Sequence, residues 1–151
     1  MEIERKFLVD LAWQPRDAGT HYKQGYLNSA RERVVRVRVA GETAKLTIKG
    51  VTTGITRAEF EYDLPAADAH YMLDHLCEQP LIEKTRHVEN HGKHAFEIDV
   101  FAGANHGLVV AELELSSEDE AFERPPWLGA EVSDDPRYYN NNLILRPYTT
   151  W

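Results

Sequence analysis

The stretch Arg33-Val34-Val35-Arg36-Val37-Arg38-Val39-Ala40, then Gly41-Glu42-Thr43, then Ala44-Lys45-Leu46-Thr47-Ile48-Lys49-Gly50, alternates cations and apolar side chains on both sides of a short turn. Alternation over seven or eight residues is the period of a strand, and valine-rich runs joined by a glycine-containing turn predict an antiparallel hairpin. Side chains two apart on a strand share a face. Arg36, Arg38, Lys45 and Lys49 therefore fall on one face of this hairpin, and Val35, Val37, Val39, Leu46 and Ile48 on the other.

The same pattern extends outward in both directions. Glu2 to Val9, Tyr22 to Asn28 and Ile55 to Leu64 read as strands, with Asp10 to Thr20 a loop. Pro65 then opens Ala66 to Gln79, where Met72, Leu73, Leu76 and Cys77 recur at helical spacing. Leu81 to Asn90 and Ala95 to Phe101 are two further strands across the turn His91-Gly92-Lys93, and Gly107 to Ser116 is another. From Pro125 onward the chain is irregular, with a short helix near Asp135-Pro136-Arg137. Eight strands and two helical insertions predict a mainly β (α+β) chain. The architecture expected is an eight-stranded antiparallel β-barrel with a few flanking helices, forming one domain over residues 1–151. An open, strongly curved sheet with helices on one face satisfies the same pattern.

Composition narrows the function. The 151 residues carry a formal charge of −8, which speaks against a protein that coats nucleic acid but allows a local basic pocket. No run approaches the eighteen apolar residues of a spanning helix, so no membrane partner is expected. The charged start Met1-Glu2-Ile3-Glu4-Arg5-Lys6 is unlike a secretory signal, and the expected location is cytoplasmic. Cys77 is the sole cysteine, so it forms no internal disulfide and is given no role. His87, His91 and His94 lack the spacing of a zinc site, and neither a phosphate-cradling glycine loop nor a serine elbow is present.

The charges are sorted by sign along the strands. Acidic pairs are Glu2 with Glu4, Glu59 with Glu61, Glu97 with Asp99, and Glu112 with Glu114. Basic pairs are Arg36 with Arg38, Lys45 with Lys49, and Lys84 with Arg86, while Lys6 and Arg57 continue two acidic rows. An ordinary sheet with one wet face profits from mixing signs, because neighbouring like charges repel. If the charged face instead lines a barrel, its cations can clamp a polyphosphate, arginine by bidentate forks and lysine as a point charge. The carboxylates are hard oxygen donors suited to Mg²⁺ or Mn²⁺. Such a metal would align the terminal phosphoryl group and activate water.

Glu2-Ile3-Glu4-Arg5-Lys6 resembles the N-terminal ExExK signature of the CYTH superfamily, the triphosphate tunnel metalloenzymes. The resemblance continues through Lys23-Gln24-Gly25-Tyr26-Leu27, Arg36-x-Arg38, Lys45 to Lys49, Arg57-x-Glu59-x-Glu61, Lys84-x-Arg86, Glu97-x-Asp99, Glu112-x-Glu114 and Tyr138-Tyr139-Asn140, in the family's order. It implies an eight-stranded tunnel whose basic residues hold a small-molecule triphosphate and whose acidic residues hold one or two divalent metals. Carried over by position, it implies metal ligation by Glu2, Glu4 and Glu114, with Glu59, Glu61 and Glu112 holding the metal, its waters or the cations. Phosphate binding falls to Lys6, Arg36, Arg38, Lys45, Lys49, Arg57, Lys84 and Arg86. The catalytic set is Glu2, Glu4, Lys6, Lys84 and Glu114, with Lys84 also a candidate for activating the attacking water. Tyr26 and the segment Asp135 to Asn142 would shape one tunnel mouth.

The expected activity is metal-dependent hydrolysis of the terminal phosphate of a triphosphate, inorganic tripolyphosphate first, since no base-recognition element is evident. Trp13, which could stack on an organic ring, is the exception to that statement. The alternatives are a nucleoside or thiamine triphosphatase, an adenylyl cyclase of the class IV type, or a non-catalytic polyphosphate- or nucleotide-binding module. A structural sheet with a solvated charged face is a third class. An exposed apolar outer face would admit a homodimer.

Overall fold

The computed structural model describes all 151 residues. Ten strands are present: β1 (Glu2–Val9), β2 (Thr20–Asn28), β3 (Val34–Ala40), β4 (Thr43–Lys49), β5 (Thr56–Arg57), β6 (Glu59–Asp63), β7 (Ile82–His91), β8 (His94–Phe101), β9 (Val109–Glu114) and β10 (Leu128–Glu131). Two helices, α1 (Ala66–His75) and α2 (Asn140–Leu143), accompany short 3₁₀ turns. None is long and apolar enough to cross a membrane.

Every pairing is antiparallel, in the order β10-β1-β9-β8-β7-β2-β3-β4-β6, with β5 on β1. The hairpin read from Arg33 to Gly50 is in place, with Arg36 opposite Thr47 and Arg38 opposite Lys45. The mainly β tunnel architecture stands, but the ladder does not close into the expected continuous eight-stranded barrel. The predicted strand Ile55 to Leu64 is divided at Ala58. Arg57 pairs with Glu2 of β1, whereas Glu59 pairs with Lys49 of β4. A single short segment thus serves two neighbours and cannot run a full ladder along either.

β10, in the tail read as irregular, also departs from expectation. It pairs with β1 at Phe7↔Glu131 and Val9↔Leu128, while Val132 N–H donates to the Lys6 carbonyl at 2.8 Å. This occupies the β1 edge that β5 is too short to cover, as an unpaired strand edge demands.

Outside the sheet, α1 starts after Pro65 and lays Ala69 and Leu73 against Val37, Val39 and Ala44. Phe7, Phe96 and Leu113 bury their outward side chains under Phe122 and Trp127. On the inner face, Ile82, Phe101 and Val110 follow Lys84, Asp99 and Glu112 at two-residue spacing. They join Tyr26, Val34, Tyr138, Leu143 and Ile144 in one buried cluster. Part of the interior is therefore an apolar plug sealed by the tail, and the charged residues occupy the remainder.

Candidate active site

A cavity of about 410 Å³ lies within the curved sheet. Its wall contains Glu2, Glu4 and Lys6 from β1, Arg36 and Arg38 from β3, and Lys45 and Lys49 from β4. Arg57 and the β6 carboxylates Glu59 and Glu61 continue it, and Arg86, Glu97, Glu112 and Glu114 complete it from β7, β8 and β9. The alternating charges found in the sequence thus face inward, and the reading of a solvated outer face is overturned.

Two predicted residues lie outside this wall. Lys84 and Asp99 are 0% exposed, with Lys84 Nζ 2.7 Å from Asp99 Oδ2. Burial lowers the Lys84 ammonium to about 8, with Asp99 opposing the shift. Arg86 meets the same carboxylate through Nε at 2.8 Å and Nη2 at 2.9 Å. Burial would raise the Asp99 carboxyl, but Lys84 and Arg86 outweigh it and hold it below the usual range. Lys84 therefore supports the wall from behind; its ammonium is engaged with Asp99 and does not line the cavity.

Most wall cations are matched. Lys49 Nζ lies 3.1 Å from Glu2, which also meets Arg57 at 3.3 Å. Lys6 stands 3.7 Å from Glu112 and donates to the Tyr138 carbonyl at 3.0 Å. Arg36 Nη2 donates to Thr47 Oγ1 at 3.2 Å, and Thr47 Oγ1 donates to Glu61 at 3.1 Å. Lys45 reaches Asp63 at 2.7 Å. Burial pushes the Glu112 carboxyl up, but Lys6 and Arg86 prevail and hold it far below its ordinary value.

The carboxylates of Glu4 and Glu114 differ: neither has a hydrogen bond or an ion pair. They sit opposite each other on β1 and β9. Burial, with Glu112 and Glu2 nearby, raises the Glu4 carboxyl to about 8. Glu59 is raised to about 7, first by its hydrogen bond to Glu2 and then by burial. Glu2 goes the other way, to about 2, because Glu59, Lys49 and Arg57 together overcome its burial. The side of the cavity around Glu4 and Glu114 is thus short of positive charge and offers only oxygen donors, which fits a hard divalent cation. No three acidic, histidine or cysteine side chains converge closely enough to ligate one ion as they stand.

Residues 1–148 match the CYTH domain. The chain belongs to the CYTH family. An inorganic triphosphatase of Acetivibrio thermocellus is 45% identical to this CYTH chain over 148 residues, 97% of it and 95% of the relative. One from Nitrosomonas europaea is 38% identical over 151 residues, covering 95% and 97% of the two chains. A crystal structure of an inorganic triphosphatase superposes with a TM-score of 0.69 at 34% identity, over 96% of this chain and 95% of that one.

Sequence reasoning left several wall residues of this CYTH chain without a role. Tyr22 lies in the cavity with the guanidiniums of Arg38 and Arg86 each 4.8 Å from its ring centroid. Strand period puts it on the same face of β2 as Gln24 and Tyr26, and the structure sets it opposite Lys84. Ser133, Tyr139, Asn140 and Asn141 line the cavity, the last three from the segment Asp135 to Asn142, and Tyr26 lines it too. Trp13 is elsewhere: its indole N–H donates to Glu89 at 3.0 Å and its ring packs edge-on to His87. It anchors the loop after β1. His94 and His91 pair with Glu120 and Glu123 outside the cavity, and Cys77 is buried, which raises its thiol to about 11.

Proposed function

We propose that this chain hydrolyses the terminal phosphate of inorganic triphosphate, using Mg²⁺ or Mn²⁺ bound by Glu2, Glu4 and Glu114. The carrying observation is the sorted cavity wall: Glu4 and Glu114 face each other unpaired on one side, while Arg36, Arg38, Lys45 and Lys49 project from the β3–β4 hairpin. Both curated relatives are named inorganic triphosphatases, which supports the choice of substrate. The placement of Trp13 on the loop, away from the cavity, supports it too.

When bound, the divalent ion would offset phosphate charge and lower the pKa of a coordinated water. The protein's own residues do the rest. Arginine forks and lysine ammonium groups fix the phosphate oxygens, so that the scissile bond is presented in one orientation. Lys49 and Arg57, already beside Glu2, would exchange part of that contact for substrate oxygens. Glu59 and Glu61 keep the hairpin cations spread around the wall, and Glu112 holds Lys6 and Arg86. Asp99, itself paired with Lys84, fixes Arg86 from below.

The test is phosphate release from tripolyphosphate, ATP, thiamine triphosphate and pyrophosphate, each with Mg²⁺, Mn²⁺ or chelator, with cyclic AMP assayed alongside. Fast metal-dependent release from tripolyphosphate is the expected result. Release confined to an organic triphosphate would reassign the substrate, cyclic AMP would make the chain a cyclase, and tight binding without turnover would make it a binding module.

A further inference from the structure

Arg38 is the one cation of the cavity wall with no carboxylate against it. Its Nε donates to Gln24 Oε1 at 2.8 Å, and its guanidinium lies over the Tyr22 ring. Gln24 projects from β2 directly opposite Arg38 and is 0% exposed. The amide has one workable orientation, because turning it over would set its NH₂ against the Arg38 N–H. The Nε2 end finds no hydrogen-bond partner. Leaving a buried donor unpaired is costly, so the arrangement gives up stability locally to place a neutral acceptor there. A guanidinium held through Nε keeps both Nη groups free to form a fork on an anion.

We propose that Gln24 is the positioning residue for Arg38: its neutral amide aims the guanidinium and leaves the full positive charge for a phosphate oxygen of the substrate. Every other wall cation loses part of its field to a neighbouring carboxylate. A glutamate at position 24 would have the same reach and would do the same to Arg38. The assignment rests on the reading of the cavity as a triphosphate site.

The experiment compares KM and kcat for tripolyphosphate, with thermal unfolding, in the wild type, Gln24→Met, Gln24→Glu, Arg38→Ala and the Arg38→Ala/Gln24→Met double variant. Gln24→Met should raise KM roughly tenfold with little change in kcat, the mark of a lost charge-assisted contact. It should have no further effect once Arg38 is alanine. Gln24→Glu should raise KM more than Gln24→Met, through a new ion pair with Arg38. An unchanged KM in Gln24→Met, or an equal penalty in both Arg38 backgrounds, overturns the assignment. If Gln24→Met does not fold, an unchanged KM in Gln24→Glu overturns it instead. An Arg38→Ala chain with wild-type KM also overturns it and leaves the hydrolase reading standing. Wild-type protein that neither binds nor hydrolyses tripolyphosphate overturns both.

Discussion

Glu4 on β1 and Glu114 on β9 are cross-strand neighbours, and neither carboxylate has a cation or a hydrogen-bond donor against it. Like charges in that relation destabilise a sheet. Glu4→Gln and Glu114→Gln should therefore leave the metal-free fold intact or more stable, while metal-dependent turnover falls on the order of 100-fold or more. Steady-state hydrolysis beside a thermal melt in chelator checks both halves. Unchanged turnover would remove these residues from the site.

The pH dependence has a definite sign. The Glu4 carboxyl moves from 4.5 to about 8 on folding, so across that interval the folded protein holds a proton that the unfolded chain releases. Its contribution is fully present below pH 4.5 and is lost as pH rises through about 8. In chelator, the wild type should lose stability relative to Glu4→Gln across this window, measured as denaturation midpoint against pH. Divalent metal should abolish the difference and release protons on binding, with release measurable by calorimetry in buffers of different ionisation enthalpy.

Asp99 is the sole partner of Lys84 and the main partner of Arg86, all three deeply buried. Asp99→Ala leaves the buried Lys84 without a counter-charge and Arg86 with only Glu97 and Glu112, and should cost about 3–5 kcal/mol in denaturant unfolding. A loss below about 1 kcal/mol would mean that water reaches the pair.

Gly25 marks a close approach between β2 and the chain that follows α1. A Cβ there would stand 2.6 Å from Leu81 Cδ2 and 2.9 Å from Cys77 Cβ. Gly25→Ala should cost about 1–3 kcal/mol by overpacking, seen as a lower melting temperature.

How much of this was legible in the sequence differs by element. The hairpin from Arg33 to Gly50 and strand β1 could be read to within a residue or two, because charged and apolar side chains alternate along most of their length. Their inward direction followed from the pairing of like charges. The division at Ala58 was not legible: Arg57 and Glu59 keep the same alternation whichever neighbour they bond. β10 was missed because Leu128-Gly129-Ala130-Glu131 is too short to show a period. In the site, the sign sorting named the wall, but it could not show that Lys84 would be sealed against Asp99. Burial depth along a strand depends on the apolar plug, and a third of that plug comes from the distant tail. Gln24 carried no charge to draw notice, and its importance lies in a contact to Arg38 across two strands.

The position of β1 has a consequence for how the molecule assembles. The strand nearest the start of the sequence lies between β9 on one side and β5 and β10 on the other, so its partners are roughly 55 to 125 residues away along the chain. Closing such loops is the slow part of folding a β-rich chain. During synthesis β1 emerges before its partners, and its β9 edge stays unpaired until residues 109–114 have been made. Glu4 meets Glu114 only in that late step, so a partly folded chain has the cationic hairpin before it has the paired carboxylates of β1 and β9. Affinity for anions should therefore emerge during folding ahead of any capacity to hold a metal.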